Sequence, residues 1–228
     1  MIHVLDHNWP NQPFPPVEQA ESEPNGLLAI GGDLSTARLL NAYRAGIFPW
    51  FTEDQPILWW SPNPRMVLYP DKLKISRSLK KSLRNKPFRA TLDEAFTQVM
   101  LACAAPRKDQ QGTWISPEMV AAYRKLYLEG YAHSVEIWMG QQLVGGLYGV
   151  ALGCVFFGES MFSIERDASK VALVYLTHLL QARSFRLIDC QVYSTHLATL
   201  GAEEIARSRF CNELERWCPQ ESSLRGVL

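Results

Sequence analysis

The chain has 228 residues, a length that suits one large domain or a full domain with a smaller one. Hydrophobic residues make up 47% of it and charged residues 20%, a composition that predicts a packed core and excludes a disordered chain. The 23 basic and 23 acidic residues cancel. Any contact with nucleic acid therefore has to come from a local basic patch.

The cysteines and the apolar segments indicate the cellular compartment. The five cysteines are scattered and form no Cys-x-x-Cys pair, a pattern that favours reduced thiols over a disulfide framework or a zinc site. The N-terminus lacks the features of a signal peptide, and no apolar run approaches the roughly 20 residues that span a bilayer. We therefore expect a cytoplasmic protein with no metal site and no membrane contact.

Residues 1–70 are rich in proline, glycine and aromatic residues. Only residues 35–45 have a helical pattern there, with Ser35 as the N-cap and Gly46 as the C-terminal stop. We predict a small, turn-rich N-terminal domain over residues 1–70.

Residues 71–228 alternate between helical and strand patterns. Helices are predicted at residues 76–84, 91–104, 116–130, 167–182, 194–201 and 209–217, and strands at residues 132–139, 142–150, 154–161 and 185–192. The first three strands follow one another through tight turns and should pair antiparallel. This order predicts an α+β fold with a mixed, mainly antiparallel sheet flanked by helices.

A stretch of eight cations without an acid runs through residues 72–89. Arg77, Lys80, Lys81 and Arg84 recur at helical spacing and share one side of the predicted helix. Such a cluster can neutralise phosphates, so RNA contact is one interpretation, and a solvated helix face is the other.

Three segments that are predicted to be loops are rich in aromatic residues: residues 46–51, 58–62 and 112–115. Tryptophans beside proline or glycine in loops can stack on a nucleic-acid base. Packing that anchors the loops gives the same pattern, and the residues alone leave both interpretations open.

Asp189 and Gln191 lie within an apolar segment, residues 187–192, that is predicted to be a strand. Residues two apart on a strand point to the same face, so the carboxylate and the amide would lie side by side. Polar groups in such a setting are either functional or satisfied by structural hydrogen bonds. A similar choice applies to Glu159 in the apolar segment 156–162, which is either a site acid or half of an ion pair.

Eight segments of the chain resemble motifs of the bacterial leucyl/phenylalanyl-tRNA–protein transferase family. They span roughly residues 20–210 in order, and several of them are long and unusual. They are residues 23–34 (EPNGLLAIGGDL), 46–51 (GIFPWF), 57–62 (ILWWSP), 112–115 (GTWI), 158–163 (GESMFS), 168–170 (ASK), 188–191 (IDCQ) and 196–202 (HLATLGA).

The resemblance implies that residues 71–228 form a domain similar to the GNAT acyltransferase fold, and that the enzyme uses no cofactor. It implies transfer of Leu, Phe and, less readily, Met from aminoacyl-tRNA to proteins that begin with Arg or Lys, which marks the acceptor for N-degron proteolysis. The partners are then aminoacyl-tRNA and the acceptor protein, and we expect a monomer.

Two groups of residues match the family's catalytic and pocket positions. Asp189 and Gln191 match the proposed catalytic relay. Leu147, Glu159 and Ser163 match the region that lines the pocket for the aminoacyl side chain.

Two further groups match the positions that hold tRNA. Trp50 and Trp114 match the tryptophans that hold the 3′ adenosine. The cations of the predicted basic helix fall where the family has its tRNA-binding helix: Arg77, Lys80, Lys81 and Arg84.

The reaction so implied needs mainly alignment, because the ester that joins the amino acid to tRNA is already activated. The attacking α-amine has a pKa of about 7.7–8.0, so a usable fraction of it is neutral. We expect Gln191 to orient the amine and Asp189 to polarise Gln191 and bias proton removal, because an amide is a poor base.

Two other classes of protein share some of these features. An acetyl-CoA-dependent N-acyltransferase would need a glycine-rich pyrophosphate loop after the third strand, and residues 164–169 (IERDAS) contain no glycine. A non-catalytic RNA-binding module would explain the basic helix and the tryptophans. It would leave the Asp189–Gln191 pair and Glu159 without a role.

Overall fold

The computed structural model describes residues 2–105 and 115–224. The strands in these residues are β1 (His3–Leu5), β2 (Leu27–Gly31), β3 (Phe48–Pro49), β4 (Leu58–Trp60), β5 (Arg65–Leu68), β6 (Phe88–Leu92), β7 (Ala132–Met139), β8 (Gln142–Leu152), β9 (Val155–Ser163), β10 (Leu187–Gln191) and β11 (Glu203–Ile205). The α-helices are α1 (Thr36–Arg44), α2 (Arg77–Asn85), α3 (Phe96–Ala104), α4 (Pro117–Glu129), α5 (Ala168–Ala182), α6 (Thr195–Ala198) and α7 (Arg207–Trp217). None of these helices is both long and apolar enough to cross a membrane.

The strands form two sheets. The smaller has the order β1-β2-β4-β3, and the larger has the order β11-β5-β10-β9-β8-β7-β6. Among the described strands, β1 pairs with β2 and β9 pairs with β10 in parallel, and the remaining pairs are antiparallel. The predicted α+β fold with a mixed, mainly antiparallel sheet is confirmed.

The two sheets share one hydrophobic core. Leu5 and Trp59 of the smaller sheet belong to the same buried cluster as Tyr123 of α4 and Phe210 of α7. The chain passes from the smaller sheet to the larger between β4 and β5, a few residues before the predicted domain boundary at residue 70. That boundary stays a prediction.

Helices flank the larger sheet on both faces. Helices α3 and α4 pack with the core cluster that contains Tyr148 and Val150 of β8, whereas α5 packs with the cluster that contains Val144 and Leu147. Leu147 and Tyr148 are consecutive on β8, and consecutive residues of a strand point to opposite faces, so the two clusters lie on opposite sides of the sheet. Helix α5 lies close to β8, since a Cβ added at Gly145 would come within 2.4 Å of the Ala168 Cβ.

The helices with local start and stop signals form where they were predicted. The hydroxyls of Ser35, Ser76 and Ser116 each accept a hydrogen bond from the backbone N–H three residues later, at the starts of α1, α2 and α4. Gly130 ends α4 in the left-handed conformation. These caps depend only on neighbouring residues, which is why the sequence predicts them well.

The predicted helix at residues 91–104 is wrong at its start. Phe88–Leu92 forms β6, the edge strand beside β7, and helix α3 begins only at Phe96. The side chain of Thr91 donates a hydrogen bond to the buried carboxylate of Glu136, which also accepts the backbone N–H of Ala95. These contacts come from β7, 41 or more residues away in sequence, so the local pattern does not show them.

Candidate active site

The site lies where two parallel strands of the larger sheet separate. Strands β9 and β10 pair from Leu187 opposite Val155 as far as Asp189 opposite Phe157. Beyond that point β9 continues to Ser163 without a further β10 partner. Polar side chains from both strands meet at this split.

Glu159 lies at a bulge in β9. Tyr148 of β8 pairs with Ser160 and Gly149 pairs with Gly158, which leaves Glu159 as the extra residue between them. Its carboxylate is buried and accepts three hydrogen bonds. The donors are the Tyr43 hydroxyl at 2.8 Å, the Tyr123 hydroxyl at 2.9 Å and the Gln191 side-chain amide at 2.9 Å.

Burial raises the pKa of Glu159 to about 7, because a charge in this apolar setting has lost most of its hydration. Hydrogen bonds from the two tyrosines and Gln191 lower this pKa, while the nearby charge of Asp189 raises it further. The pKa values of Tyr43 and Tyr123 are well above 10, chiefly through burial, so both hydroxyls stay protonated as donors. A carboxyl group that titrates near neutral pH can accept and return a proton.

Asp189 is fully buried against Arg65, the first residue of β5. The guanidinium donates from Nε to Asp189 Oδ1 at 2.8 Å and from an Nη atom to Oδ2 at 2.7 Å. The pairing is bidentate, the geometry that best matches a carboxylate. Both oxygens of the Asp189 carboxylate are therefore engaged with Arg65.

Gln191 contacts Asp189 through its backbone and Glu159 through its side chain. The pairing of β10 with β5 shifts register between the two residues, and Gln191 has a left-handed backbone with φ of +64°. Its backbone N–H donates to Asp189 Oδ1 at 2.9 Å, and its side-chain amide reaches Glu159 instead. The two residues are neighbours, as expected from the sequence, but the bulge means that the bond between them comes from the Gln191 backbone.

Two of the predicted pocket residues lie away from Glu159. Leu147 is buried in the cluster under α5, on the opposite face of the sheet from the tyrosines that hold Glu159. Ser163 is exposed, and its hydroxyl donates to the Glu165 carbonyl and accepts the Ser169 N–H at the start of α5. The structure therefore does not bring these two residues together with Glu159.

The predicted adenosine-binding tryptophans lie in loops. Trp50 directly follows β3 and is 43% exposed, with its ring 5.9 Å from that of Trp60. Its loop is fixed, because the Trp60 indole N–H donates to the Trp50 carbonyl and the Trp50 N–H donates to the Leu58 carbonyl. Trp50 thus offers a flat face held in place. Trp114 lies outside the described residues.

Helix α2 presents the predicted basic face. Only Leu79 of this helix is buried, whereas Arg77, Lys80, Lys81 and Arg84 are exposed. Those four have no acidic partner within the described part of the chain, unlike other cations of the same stretch. The cations that do form ion pairs are Lys72 with Glu203, Lys86 with Glu165 and Arg89 with Glu94.

The sequence did not single out Arg65, Tyr43 or Tyr123 as site residues. Arg65 begins an apolar strand, and Asp189 lies inside another. Opposite charges in two buried strands are a signal in the sequence that these two residues pair. No comparable local signal marks the tyrosines, since Tyr43 is 116 residues from Glu159.

Two protein-family models match the chain. Residues 67–215 match the family model described as leucyl/phenylalanyl-tRNA protein transferase, and residues 32–63 match the model of its N-terminal domain. The first match alone covers more than half of the chain.

Curated relatives give the same result. The chain is 60% identical to a leucyl/phenylalanyl-tRNA–protein transferase of Nitrosomonas eutropha, across 99% of this chain and 95% of the relative. A protein of the same name from Aromatoleum aromaticum is 62% identical across 90% of this chain and 86% of the relative. The chain belongs to the leucyl/phenylalanyl-tRNA protein transferase family.

Among solved structures, a GCN5-related N-acetyltransferase from Kribbella flavida matches with a TM-score of 0.40 and 13% sequence identity. The match covers 73% of this chain and 60% of that protein. A similarity at this level supports no inference about the fold superfamily or the activity of this chain.

Proposed function

We propose that this chain moves an aminoacyl group, Leu or Phe and less readily Met, from aminoacyl-tRNA to an acceptor protein that begins with Arg or Lys. The product would carry a new N-terminal residue that marks it for N-degron proteolysis in the cytoplasm. The observation that carries the proposal is the buried Glu159 carboxylate hydrogen-bonded to Gln191, in a chain whose relatives are named for this transfer.

The chemistry requires one bond to form and one to break. The α-amine of the acceptor attacks the ester carbonyl, a C–N bond forms, the C–O bond to the tRNA ribose breaks, and the ribose oxygen leaves with a proton. The amine loses a proton in the same process. Glu159, with a pKa of about 7, is close enough to the pKa of about 7.7–8.0 of an α-amine to accept that proton and return it to the ribose oxygen.

Gln191 would position the amine beside this carboxylate. Its side-chain amide is partly exposed at the split between β9 and β10 and already contacts Glu159. An amide is a poor base, so its role is alignment, which is the main requirement for an activated ester. Asp189 would act through the backbone of Gln191, because its carboxylate is occupied by Arg65 and by the Gln191 N–H.

The tRNA would be held at two further places. The exposed ring of Trp50 can stack on the terminal adenosine, a contact that depends on a flat apolar face. The four exposed cations of α2 (Arg77, Lys80, Lys81 and Arg84) can neutralise phosphates of the tRNA body. The protein would work as a monomer without a cofactor.

A transfer assay tests this function directly. Leu-tRNA, Phe-tRNA and Met-tRNA are offered as donors to matched peptides that begin with Arg, Lys or Asp, and the elongated peptide is measured by mass. We expect transfer to the Arg and Lys peptides, with Leu and Phe ahead of Met. Absence of transfer from every charged tRNA would overturn the proposal, and transfer from acetyl-CoA in a parallel reaction would favour an N-acetyltransferase.

A further inference from the structure

Arg65 is one of the most enclosed cations in the described part of the chain. It is 1% exposed and its guanidinium lies between the rings of Phe48 and Phe210, with Cζ 4.7 and 4.6 Å from the two ring centres. These rings come from β3 and α7, while Arg65 itself lies on β5. A guanidinium stacked between two rings has little freedom to move.

The nitrogens of Arg65 bind two other parts of the site. Two of them make the bidentate pair with Asp189 of β10, and the third donates to the Gly46 carbonyl at 3.1 Å. Gly46 begins the segment 46–51 that carries Trp50. One side chain therefore joins the strand that carries Gln191 to the loop that carries the exposed tryptophan.

A series of direct contacts leads from Arg65 to Glu159. Asp189 Oδ1 accepts from Arg65 and also from the backbone N–H of Gln191. That second bond fixes Gln191 at φ +64°, a conformation that a residue with a side chain seldom adopts unless its surroundings hold it. In this conformation the Gln191 amide lies 2.9 Å from Glu159.

We infer that Arg65 is a positioning residue for aminoacyl transfer. It holds Asp189 so that Gln191 keeps its left-handed turn and its amide stays beside Glu159. Through Gly46 it also fixes this turn relative to the loop of Trp50, so that the two ends of the aminoacyl-adenosine are placed together. The inference rests on the proposed function and adds to it a residue that does not touch substrate.

Arg65→Lys is the first test, since it keeps the charge and loses the two-pronged geometry. We expect kcat to fall about tenfold or more, as misplacement of a reacting group allows, while KM for the acceptor peptide changes little. The matched control is Arg38→Lys. Arg38 is also fully buried and paired with an acid, Asp33 at 3.0 Å. Within the described part of the chain its side chain donates to Asp33 and to the carbonyls of Asp6 and Trp9, which lie outside the site.

A double-mutant cycle separates positioning from general stability. If Arg65 acts through Gln191, then Arg65→Lys should cost much less in a Gln191→Ala background than in the wild type. If the fold-losses in kcat of the two single variants multiply in the double variant, the residues act independently and the inference is overturned. An unchanged kcat in Arg65→Lys would also overturn it. A fall in kcat matched by Arg38→Lys at equal folded fraction would overturn it as well.

Two further arrangements keep the test decisive. If Arg65→Lys does not fold, the double variant Arg65→Gln with Asp189→Asn, which is neutral at both positions, replaces it. We again expect kcat to fall about tenfold, because this variant lacks the bond from Arg65 to the Gly46 carbonyl. A wild-type kcat in the double variant would overturn the inference. The wild type is assayed in parallel. Its failure to transfer would overturn the proposed function and the inference with it, whereas active wild type with unimpaired Arg65 variants overturns the inference alone.

Discussion

Gln191 Nε2 lies 2.9 Å from Glu159 Oε1 across the gap that opens between β9 and β10 after Asp189. The two residues are 32 apart in sequence and come from strands that are paired until two residues before the contact. The amide that we propose to align the nucleophile and a carboxyl group with a pKa raised to about 7 are thereby in direct contact. Several measurable properties depend on this contact.

Glu159→Gln should lower the transfer rate by about 100-fold, because the variant cannot accept the proton of the amine. The wild-type rate should rise with pH through about 7 as Glu159 loses its proton, and should rise further as the amine becomes neutral. In Glu159→Gln the rate should rise with pH only as the α-amine of the acceptor becomes neutral. Single-turnover rates between pH 5.5 and 9 measure both, and an unaltered lower limb in Glu159→Gln would rule out this carboxylate as the proton acceptor.

The same carboxyl group makes folding depend on pH. Its pKa is raised in the fold from 4.5 to about 7, so the folded state binds the proton more tightly and stability falls as the pH rises through this interval. With about 1.4 kcal/mol for each pKa unit, the loss is about 3 kcal/mol. Urea unfolding at pH 5 and pH 8 measures it.

Glu159→Gln should remove most of the stability that is lost between pH 5 and pH 8. At pH 8 the variant should therefore be more stable than the wild type. Gln191 can turn its amide to present its oxygen to the new side chain, so the contact survives. The free energy of unfolding of the variant should still depend on pH to some extent, because burial raises the pKa of Glu136 as well. Equal pH slopes in the two proteins would contradict the raised pKa of Glu159.

Charge reversal on α2 should weaken tRNA binding. With Lys80→Glu, Lys81→Glu and Arg84→Glu together, the plot of log affinity against log salt should flatten by about 2 to 3, since each lost phosphate contact contributes about 0.7–0.9. Filter binding or fluorescence anisotropy at several salt concentrations gives this slope. The control carries Arg124→Glu and Lys125→Glu on α4, where the exposed cations lie on another helix; the same slope in both variants would refute the patch.

Trp50→Ala should raise KM for aminoacyl-tRNA by about ten- to a hundredfold, because base stacking contributes about 1–3 kcal/mol. The effect on folding should be small, since the ring is 43% exposed. Trp50→Phe should retain part of the affinity. Trp9→Ala is the matched control, with a ring that is 54% exposed, and an equal effect of both alanine variants would exclude stacking by Trp50.

The sequence predicts those elements whose signals are local. The serine-capped helices α1, α2 and α4 and the alternating strand β7 lie where the residue pattern placed them. Strand β6 was missed because an edge strand of five residues is recognised by its pairing with β7, not by its own composition. The short strands of the smaller sheet escaped prediction for the same reason.

The sequence predicts which residues belong to the candidate site better than it predicts how they are arranged. Glu159, Asp189 and Gln191 each drew notice as polar residues in apolar strands, and the structure does bring them into contact. The bulge between Asp189 and Gln191 was not predictable, because a register shift depends on the neighbouring strand. The buried partner of Asp189 required knowledge of a contact 124 residues away.

The shared hydrophobic core has a consequence for how the protein becomes active. Tyr43 of α1 donates to Glu159, and the Gly46 carbonyl receives Arg65, so groups from the first fifth of the chain complete a site whose acid and amide come from its last third. A fragment made of the larger sheet alone would contain both reacting groups and still leave the carboxylate without one hydroxyl donor. The hydrogen bonds around Glu159 and Arg65 are therefore complete only when residues of the N-terminal part have packed against the larger sheet.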